Sequence, residues 1–388
     1  MGMLFLVLML AGVGISIAVH EAGHMYAARI YKGKVSSFSV GFGPTLARYT
    51  RNNTLYTFKL IPLYGYVRIE GMEQDGPGVR EPGYTLFRDM KTFAKTVVLI
   101  GGVALNALLA LILSVVSLSA IGVDEYTSTI DKVSKCAVAD QTDCAESGYG
   151  PAFWAGVTEG SVIRSVDGKT IEDWSDLVKI MKDYAPGDTV SMVVVNGEGA
   201  GKTVSITLAE HPNVPGRGYL GLTPLAQVRR YPVNESAYVF KETAIQTAGV
   251  LLKYPVTVYT SFEKAVTGDT SEDPDLLGPV GLGRLGAGIG TLDSSLSQRF
   301  GMLLSVLAAI NISLAVFNTL PLLPFDGGRI VLVWLESLRT RVYRMRGVPD
   351  PGPFSPRLVG MISAFVVGAY IVSALMLLVV DLVNPLTL

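Results

Sequence analysis

Charged residues, histidine and cysteine are the scarcest features of this chain. Charged residues make up 17% of its 388 positions, where soluble domains carry about 25%, and 49% of the positions are hydrophobic. The formal net charge of −1 supplies no overall field that would attract nucleic acid, so no nucleic-acid partner is expected. No histidine lies near the two cysteines, Cys136 and Cys144, so we do not expect them to bind zinc.

Apolar runs dominate instead, and four of them are long enough to cross a lipid bilayer, which takes about 20 helical residues. No Lys or Arg precedes the first run and no small-residue cleavage site ends it, so we expect a retained span and not a removable signal peptide. The sequence therefore predicts a polytopic α-helical membrane protein. Its predicted spans are residues 3–27, 93–121, 299–324 and 357–383.

Basic residues mark one end of each of the first three spans. They follow the first span, precede the second and follow the third: Arg29, Lys32, Lys34, Arg88, Lys91, Lys95, Arg329, Arg339, Arg341, Arg344 and Arg346. Such residues favour the cytoplasmic side, so both termini and the long middle segment are predicted to lie outside. An oxidising outer compartment favours a disulfide between Cys136 and Cys144, with two free thiols as the alternative.

The remaining segments differ in pattern. Alternating residues around the turn-forming TRNNT predict a membrane-associated β-hairpin on the cytoplasmic side, and short strand patterns after the second span predict an α+β domain on the outer face. The next segment is predicted to hold an amphipathic helix broken near Pro255, followed by a Gly-rich loop. The predicted divisions are the first membrane part at 1–125 with its hairpin at 35–70, the outer domain at 126–212, the amphipathic linker region at 213–298 and the second membrane part at 299–388.

HEAGH at residues 20–24 ends the first span. His20 and His24 are four residues apart, so on a helix they project from one face and can bind the same ion, with Glu21 beside them. This HExxH arrangement binds zinc through two imidazoles and uses the carboxylate as a general base. A chance match is disfavoured because a charged side chain at membrane depth costs at least about 2.5 kcal/mol and is rarely kept without a partner.

A catalytic zinc site needs a third protein ligand. Asp326, in FNTLPLLPFDGGR at 317–329, is the candidate, because the first and third spans run in the same direction and bring it to the depth of HEAGH. The prolines before it are expected to stop the helix, and Gly327 and Gly328 are expected to turn the backbone tightly after it. A routine helix end with a capping aspartate is the alternative.

HEAGH combined with NTLPLLPFDGG at 318–328 resembles the site-2 protease family of intramembrane zinc metalloproteases, particularly its actinobacterial branch that cleaves regulators. The resemblance implies one Zn2+ ion. It also implies the following roles: His20, His24 and Asp326 as metal ligands, Glu21 as the catalytic base, and Asn318 as a catalytic contact to the substrate strand or the oxyanion. For Asn318, an amide that only packs between helices is the alternative.

Three further positions are implied as substrate-binding by the same resemblance. The family commonly has Gly-Pro ahead of an Asn in the second span, and this chain has GGVALN, which keeps Gly102 and Asn106 but has Val103 in place of the proline. The third position is Gly65 in the hairpin, which can accept an unwound substrate as an added strand. Without the proline, a kink at Val103 is not expected.

Residues 150–177 of the outer domain resemble a PDZ module. Such a domain can capture an extended peptide or exclude substrates that still carry a bulky outer part, and we favour exclusion. The resemblance as a whole implies a multi-pass enzyme of the bacterial plasma membrane that cleaves single-span proteins such as anti-sigma factors. An intramembrane metal or proton transporter and a PDZ-bearing scaffold with a degenerate site are the alternatives. His211 is interpreted as an ordinary surface residue.

Overall fold

The structure is a computed structural model that describes residues 1–72, 81–136, 144, 148–197, 199, 201–212, 214–268, 276, 278–292 and 294–383, with the backbone alone at 214, 215 and 279. Its helices are α1 (Gly2–Ile30), α2 (Thr92–Val115), α3 (Pro151–Trp154), α4 (Trp174–Met181), α5 (Val233–Thr267), α6 (Pro279–Ile289), α7 (Leu296–Thr319), α8 (Asp326–Met345) and α9 (Pro356–Val383). Its strands are β1 (Val35–Arg51), β2 (Thr54–Ile69), β3 (Val123–Val133), β4 (Val162–Val166), β5 (Lys169–Thr170), β6 (Thr189–Val195), β7 (Lys202–Thr207), β8 (Ala209–His211), β9 (Val214–Tyr219) and β10 (Leu222–Arg229).

The chain divides into two compact units. Unit 1 comprises Met1–Ile121 and Tyr231–Leu388, and unit 2 comprises Gly122–Arg230. In unit 1, α1, α7, α9 and α2 with its π-helical extension Val116–Ile121 are long and apolar enough to cross a membrane. The prediction of four candidate spans is therefore confirmed.

The third span ends earlier than predicted. Helix α7 stops at Thr319 and not at residue 324, because Pro321 cannot continue the helical hydrogen bonding. After the short segment 320–325, α8 begins at Asp326. Asp326 therefore belongs to the first turn of a new helix.

Helices α1 and α2 cross at closely packed glycines. A Cβ atom added to Gly23 would lie 2.2 Å from the carbonyl oxygen of Gly101, so the crossing requires residues without side chains. Met25, Val98 and Leu99 are buried beside it. This contact holds the HEAGH segment in a fixed register against the first half of α2.

The predicted hairpin is present at β1 and β2, with Asn52 and Asn53 in its turn at φ values of 50° and 58°. Both strands fold back on themselves, which the sequence did not indicate. Residues 37–40 pair with 65–68 on one side and with 55–58 on the other, so residues 65–69 form an edge of a four-segment sheet. Several large apolar side chains of this sheet are exposed, namely Phe42, Leu46, Leu60, Leu63 and Tyr64.

The region after β10 differs from its prediction as a broken helix and a loop. Helix α5 is continuous through Pro255. Helix α6 forms within the Gly-rich stretch, where Asp381 of α9 accepts hydrogen bonds from the backbone N–H groups of Gly278, Val280 and Gly281. Both helices belong to unit 1, where α5 packs against α7 and α9, and α6 packs against α1 and α9.

Unit 2 is built on a six-stranded antiparallel sheet in the order β10-β3-β4-β6-β7, with β5 paired to β4. Its core includes Ile163, Val166, Leu177 and Met192, and these alternating strands with two short helices agree with a PDZ-like domain. The unit is longer than the predicted 126–212 because β10 pairs with β3. Cys136 and Cys144 form a disulfide, so the disulfide prediction is confirmed.

Candidate active site

Three predicted ligands from two distant parts of the sequence form a small triangle. The Oδ2 atom of Asp326 lies 3.2 Å from the Nε2 atoms of both His20 and His24, and the two Nε2 atoms are 3.2 Å apart. A tetrahedral zinc ion with ligands at about 2.0 Å separates those ligands by about 3.3 Å. The donor set and its spacing therefore fit one zinc ion, and all three residues are largely buried.

The first half of α2 supports the imidazole of His24. The Nδ1 atom of His24 lies 2.9 Å from the carbonyl oxygen of Val98, which fixes the ring so that Nε2 faces the metal position. A Cβ atom on Gly102 would lie 2.5 Å from that Nε2 atom. Gly102 therefore contacts the ligands directly, and any side chain there would displace them.

Asp326 reaches the triangle because two glycines let α8 start close to the segment that precedes it. A Cβ atom on Gly327 would lie 2.3 Å from the carbonyl oxygen of Thr319, and one on Gly328 would lie 2.3 Å from the backbone of Leu322. The predicted tight turn is therefore wrong, since both glycines are helical. Burial opposes ionisation of Asp326, but the adjacent imidazoles of His20 and His24 outweigh it and lower the pKa of this carboxyl group.

Glu21 lies between the ligands and the edge of the sheet. The backbone N–H of Val67 lies near its carboxylate, and a Cβ atom on Gly65 would lie 3.0 Å from its Cγ atom. Sequence reasoning missed Val67, and only the glycine in an otherwise alternating strand marked a close approach. The sheet edge thus meets the helix at the glutamate.

Two other predicted residues have different surroundings. The side chain of Asn106 is completely buried, and its two amide atoms have no hydrogen-bond partner within the described part of the chain. The Nδ2 atom of Asn318 donates to the carbonyl oxygen of Leu314 in its own helix, at 2.9 Å. In this conformation, Asn318 thus makes the contact expected of a packing amide.

His211, interpreted from the sequence as an ordinary surface residue, is half-buried in unit 2. Its ring meets that of Tyr219 edge-on, with centroids 5.3 Å apart. It lines a cavity of about 310 Å3 in unit 2 together with Trp174 of α4 and Arg217. Burial, followed by the charge of Arg217, lowers the pKa of His211.

A buried His2Asp triangle with an adjacent glutamate, set among helices that can cross a membrane, defines the class of membrane metallopeptidases. Residues 8–348 match the model of Peptidase family M50. The chain belongs to this family, that of the site-2 proteases predicted from its two motifs. It is therefore a zinc metalloprotease. Of the three functions considered from the sequence, namely protease, transporter and scaffold, the first is confirmed.

Curated relatives resemble the chain over most of its length. The zinc metalloprotease Rip1 of Mycolicibacterium smegmatis is 29% identical, over 99% of this chain and 98% of its own. The putative zinc metalloprotease FN1322 of Fusobacterium nucleatum is 30% identical, over 85% of this chain and 87% of its own. Among solved structures, the PDZ domain of the SdrC-like protein of Listeria monocytogenes aligns with 27% of this chain and 88% of its own, at 17% identity and a TM-score of 0.19.

Proposed function

We propose that the protein hydrolyses a peptide bond in or near the transmembrane segment of single-span membrane proteins, with anti-sigma-factor-like regulators as the substrate class. The observation that carries this proposal is the ligand triangle of His20, His24 and Asp326, with Nε2 and Oδ2 atoms 3.2 Å apart. Two of the three residues lie in a helix long enough to span a membrane. A site carried by such a helix would be accessible to a peptide bond that lies within the bilayer.

His20, His24 and Asp326 would hold zinc, and Glu21 would move the protons. Bound zinc supplies a Lewis acid that polarises the scissile carbonyl group and lowers the pKa of a water molecule. Glu21 takes the proton of the attacking water and passes it to the leaving amine. The Glu21 carboxylate lies near the N–H of Val67, on the side of the sheet where the peptide is expected.

We assign the binding of the substrate peptide to the edge of the β1–β2 sheet at residues 65–69. An intact helix hides its carbonyl groups, so a cleavable peptide must be extended, and an exposed sheet edge can pair with such a strand. Gly65 keeps this edge close to Glu21. One N–H of the Asn318 amide donates to the carbonyl oxygen of Leu314, so its second N–H would be the donor that stabilises the oxyanion.

The proposed location is the bacterial plasma membrane, with both termini and unit 2 outside and the metal site towards the cytoplasm. The basic residues that flank the first three spans support this orientation. The disulfide of Cys136 and Cys144 supports an oxidising compartment for unit 2. In that position, unit 2 would exclude substrates that still carry a bulky outer domain.

The test uses detergent-purified full-length protein reconstituted with a single-span substrate. Cleavage is expected to stop on chelation and to return with zinc. The substitution Glu21→Gln is expected to keep zinc bound but to abolish cleavage, because it removes the proton acceptor. Glu70→Gln, which changes the same group just beyond the hairpin, is the matched control and should cleave normally. Normal cleavage by Glu21→Gln would refute the proposed mechanism.

A further inference from the structure

Three side chains of the membrane helices carry four buried polar atoms that have no hydrogen-bond partner among the residues that the structure describes. They are both amide atoms of Asn106 on α2, the Nδ1 atom of His20 on α1, and the Oδ1 atom of Asn311 on α7. Asn106 and Asn311 are both completely buried. Leaving one such group unpaired costs about 1–3 kcal/mol, so a set of them at one level of the membrane domain needs an explanation.

The register of the helices brings these groups to one layer. Helices α1 and α2 are antiparallel, and a Cβ atom on Gly102 would lie 2.9 Å from the Nδ1 atom of His20. Asn106 is one turn beyond Gly102 on α2, and Ser16 is one turn before His20 on α1, so the two residues lie at the same level of the helix pair. The Nδ2 atom of Asn311 donates to the Oγ atom of Ser16 at 2.7 Å, which places Asn311 in the same layer.

The donors and acceptors of this layer match. When the Nε2 atom of His20 ligates a metal ion, its Nδ1 atom carries the proton and becomes a donor. Asn106 offers one acceptor, Oδ1, and one donor group, Nδ2, while the unpaired atom of Asn311 is an acceptor. The donors and acceptors that these three residues leave unpaired are therefore complementary in kind and number.

We propose that Asn106 is a positioning residue for the metal site. Its Oδ1 atom accepts a hydrogen bond from the Nδ1 atom of His20, and its Nδ2 atom donates to the Oδ1 atom of Asn311. The chain of hydrogen bonds continues from Asn311 to Ser16 and from the Oγ atom of Ser16 to the carbonyl oxygen of Gly12, at 2.9 Å. This proposal rests on the proposed role of His20 as a zinc ligand.

This chain of hydrogen bonds from His20 through Asn106 and Asn311 to Ser16, the relay, would give His20 an orienting partner such as His24 already has. His24 is oriented by the carbonyl oxygen of Val98, and Asn106 would orient His20 from the same helix. Because Asn106 is completely buried, its role is the support of a ligand and not a direct contact with the substrate. The relay also joins α1, α2 and α7, so the position of α7 influences the geometry of the metal site.

The test measures the zinc affinity of the detergent-purified full-length protein by competition with a chromogenic chelator. Asn106→Leu keeps the size but removes both hydrogen bonds, and should weaken zinc binding about 10–100-fold, the usual effect of losing such an outer partner. Asn106→Asp keeps the acceptor for His20 and should restore the affinity to within about threefold of the original. Asn311→Leu leaves Asn106 in place and should give a smaller loss.

Two controls separate this role from general stability and from the ligand assignment. Ser117→Ala removes a buried hydrogen bond of the same helix, from the Oγ atom of Ser117 to the carbonyl oxygen of Gly301 at 2.7 Å, and should lower the melting temperature without changing zinc affinity. His20→Ala should abolish tight zinc binding. If His20→Ala binds zinc normally, the proposed ligand set is wrong, and the relay fails with it.

If His20→Ala loses zinc but Asn106→Leu binds it normally, the relay alone is wrong. Equal losses in Asn106→Leu and Asn106→Asp would also overturn it, because they would show that the shape of the amide matters and its acceptor does not. Should Asn106→Leu fail to fold, Asn311→Leu decides the question, since normal zinc affinity in that variant contradicts the relay.

Discussion

Replacing Gly102 with alanine adds one methyl group at the point where α2 touches both imidazoles. The new Cβ atom would lie 2.5 Å from the Nε2 atom of His24 and 2.8 Å from the Cε1 atom of His20, where ordinary contacts begin at 3.4 Å. The ligands must therefore retreat by about 1 Å. Separating α1 from α2 would also relieve the clash, but it would break the close backbone contact between Gly23 and Gly101.

A displacement of this size is enough to disrupt catalysis. Misplacing a reacting group by about 1 Å can lower a rate about 100-fold, and the atom that is pushed here is the proposed ligand atom itself. We therefore expect Gly102→Ala to lower the turnover of a reconstituted substrate about 100-fold and to weaken zinc binding. Folding is expected to survive, since alanine favours a helix over glycine by about 1 kcal/mol.

The matched control is Gly368→Ala in α9. Beyond its own helical turn, no atom of the described residues lies within 4 Å of the Cβ position on Gly368, so this variant gains the same helix propensity without touching either imidazole. Its cleavage rate and zinc affinity should equal those of the original protein. If Gly102→Ala cleaves within a factor of about two of Gly368→Ala, the steric argument for the metal site fails.

Three further predictions concern stability, each measured by thermal unfolding. Burial and Arg217 lower the pKa of His211, so as the pH falls through 6.5 the unfolded state binds a proton that the folded state does not, and unit 2 should lose stability. The substitution His211→Phe should remove this pH dependence. An unchanged dependence of the melting temperature on pH in that variant would contradict the prediction. Asp381→Ala leaves three N–H groups of the α6 terminus without their acceptor and should destabilise unit 1 by about 1–3 kcal/mol; an unchanged melting temperature would refute this. Replacing both Cys136 and Cys144 with serine opens a loop of sequence separation 8 and should destabilise unit 2 by about 2–3 kcal/mol, whereas equal melting with and without reductant would argue against any contribution.

The convergence of His20, His24 and Asp326 could be predicted because each of the two segments that carry them has a recognisable local pattern. HExxH gives two ligands and a base from helix periodicity alone, and the third ligand followed from two spans that run in the same direction. Asp326 had to be acidic, close to a span end and beside helix-breaking residues. Few positions in a chain with 17% charged residues satisfy all three conditions.

Contacts that depend on folding back or on tertiary packing could not be predicted in this way. The alternation in β1 and β2 indicated strands but not the double pairing of residues 37–40, so the approach of Val67 to Glu21 could not be predicted. Pro255 suggested a break that α5 does not show, because packing of the helix outweighs the loss of one hydrogen bond. Gly327 and Gly328 indicated a turn, while their actual role is close packing.

The two glycine pairs point to a common principle in this site. Gly101 and Gly102 bring α2 against the imidazoles, and Gly327 and Gly328 bring α8 against the end of α7, so each ligand-bearing segment is positioned by backbone packing. The contacts of Gly101 with Gly23, and those of Gly327 and Gly328 with residues 319–323, are rigid because they join backbone to backbone. The metal triangle therefore exists only when α1, α2 and α8 are assembled together. Zinc affinity in this protein is consequently expected to depend on the assembly of unit 1 as much as on the identity of the ligands. A substitution at Gly102 should therefore lower zinc affinity although it alters no donor atom.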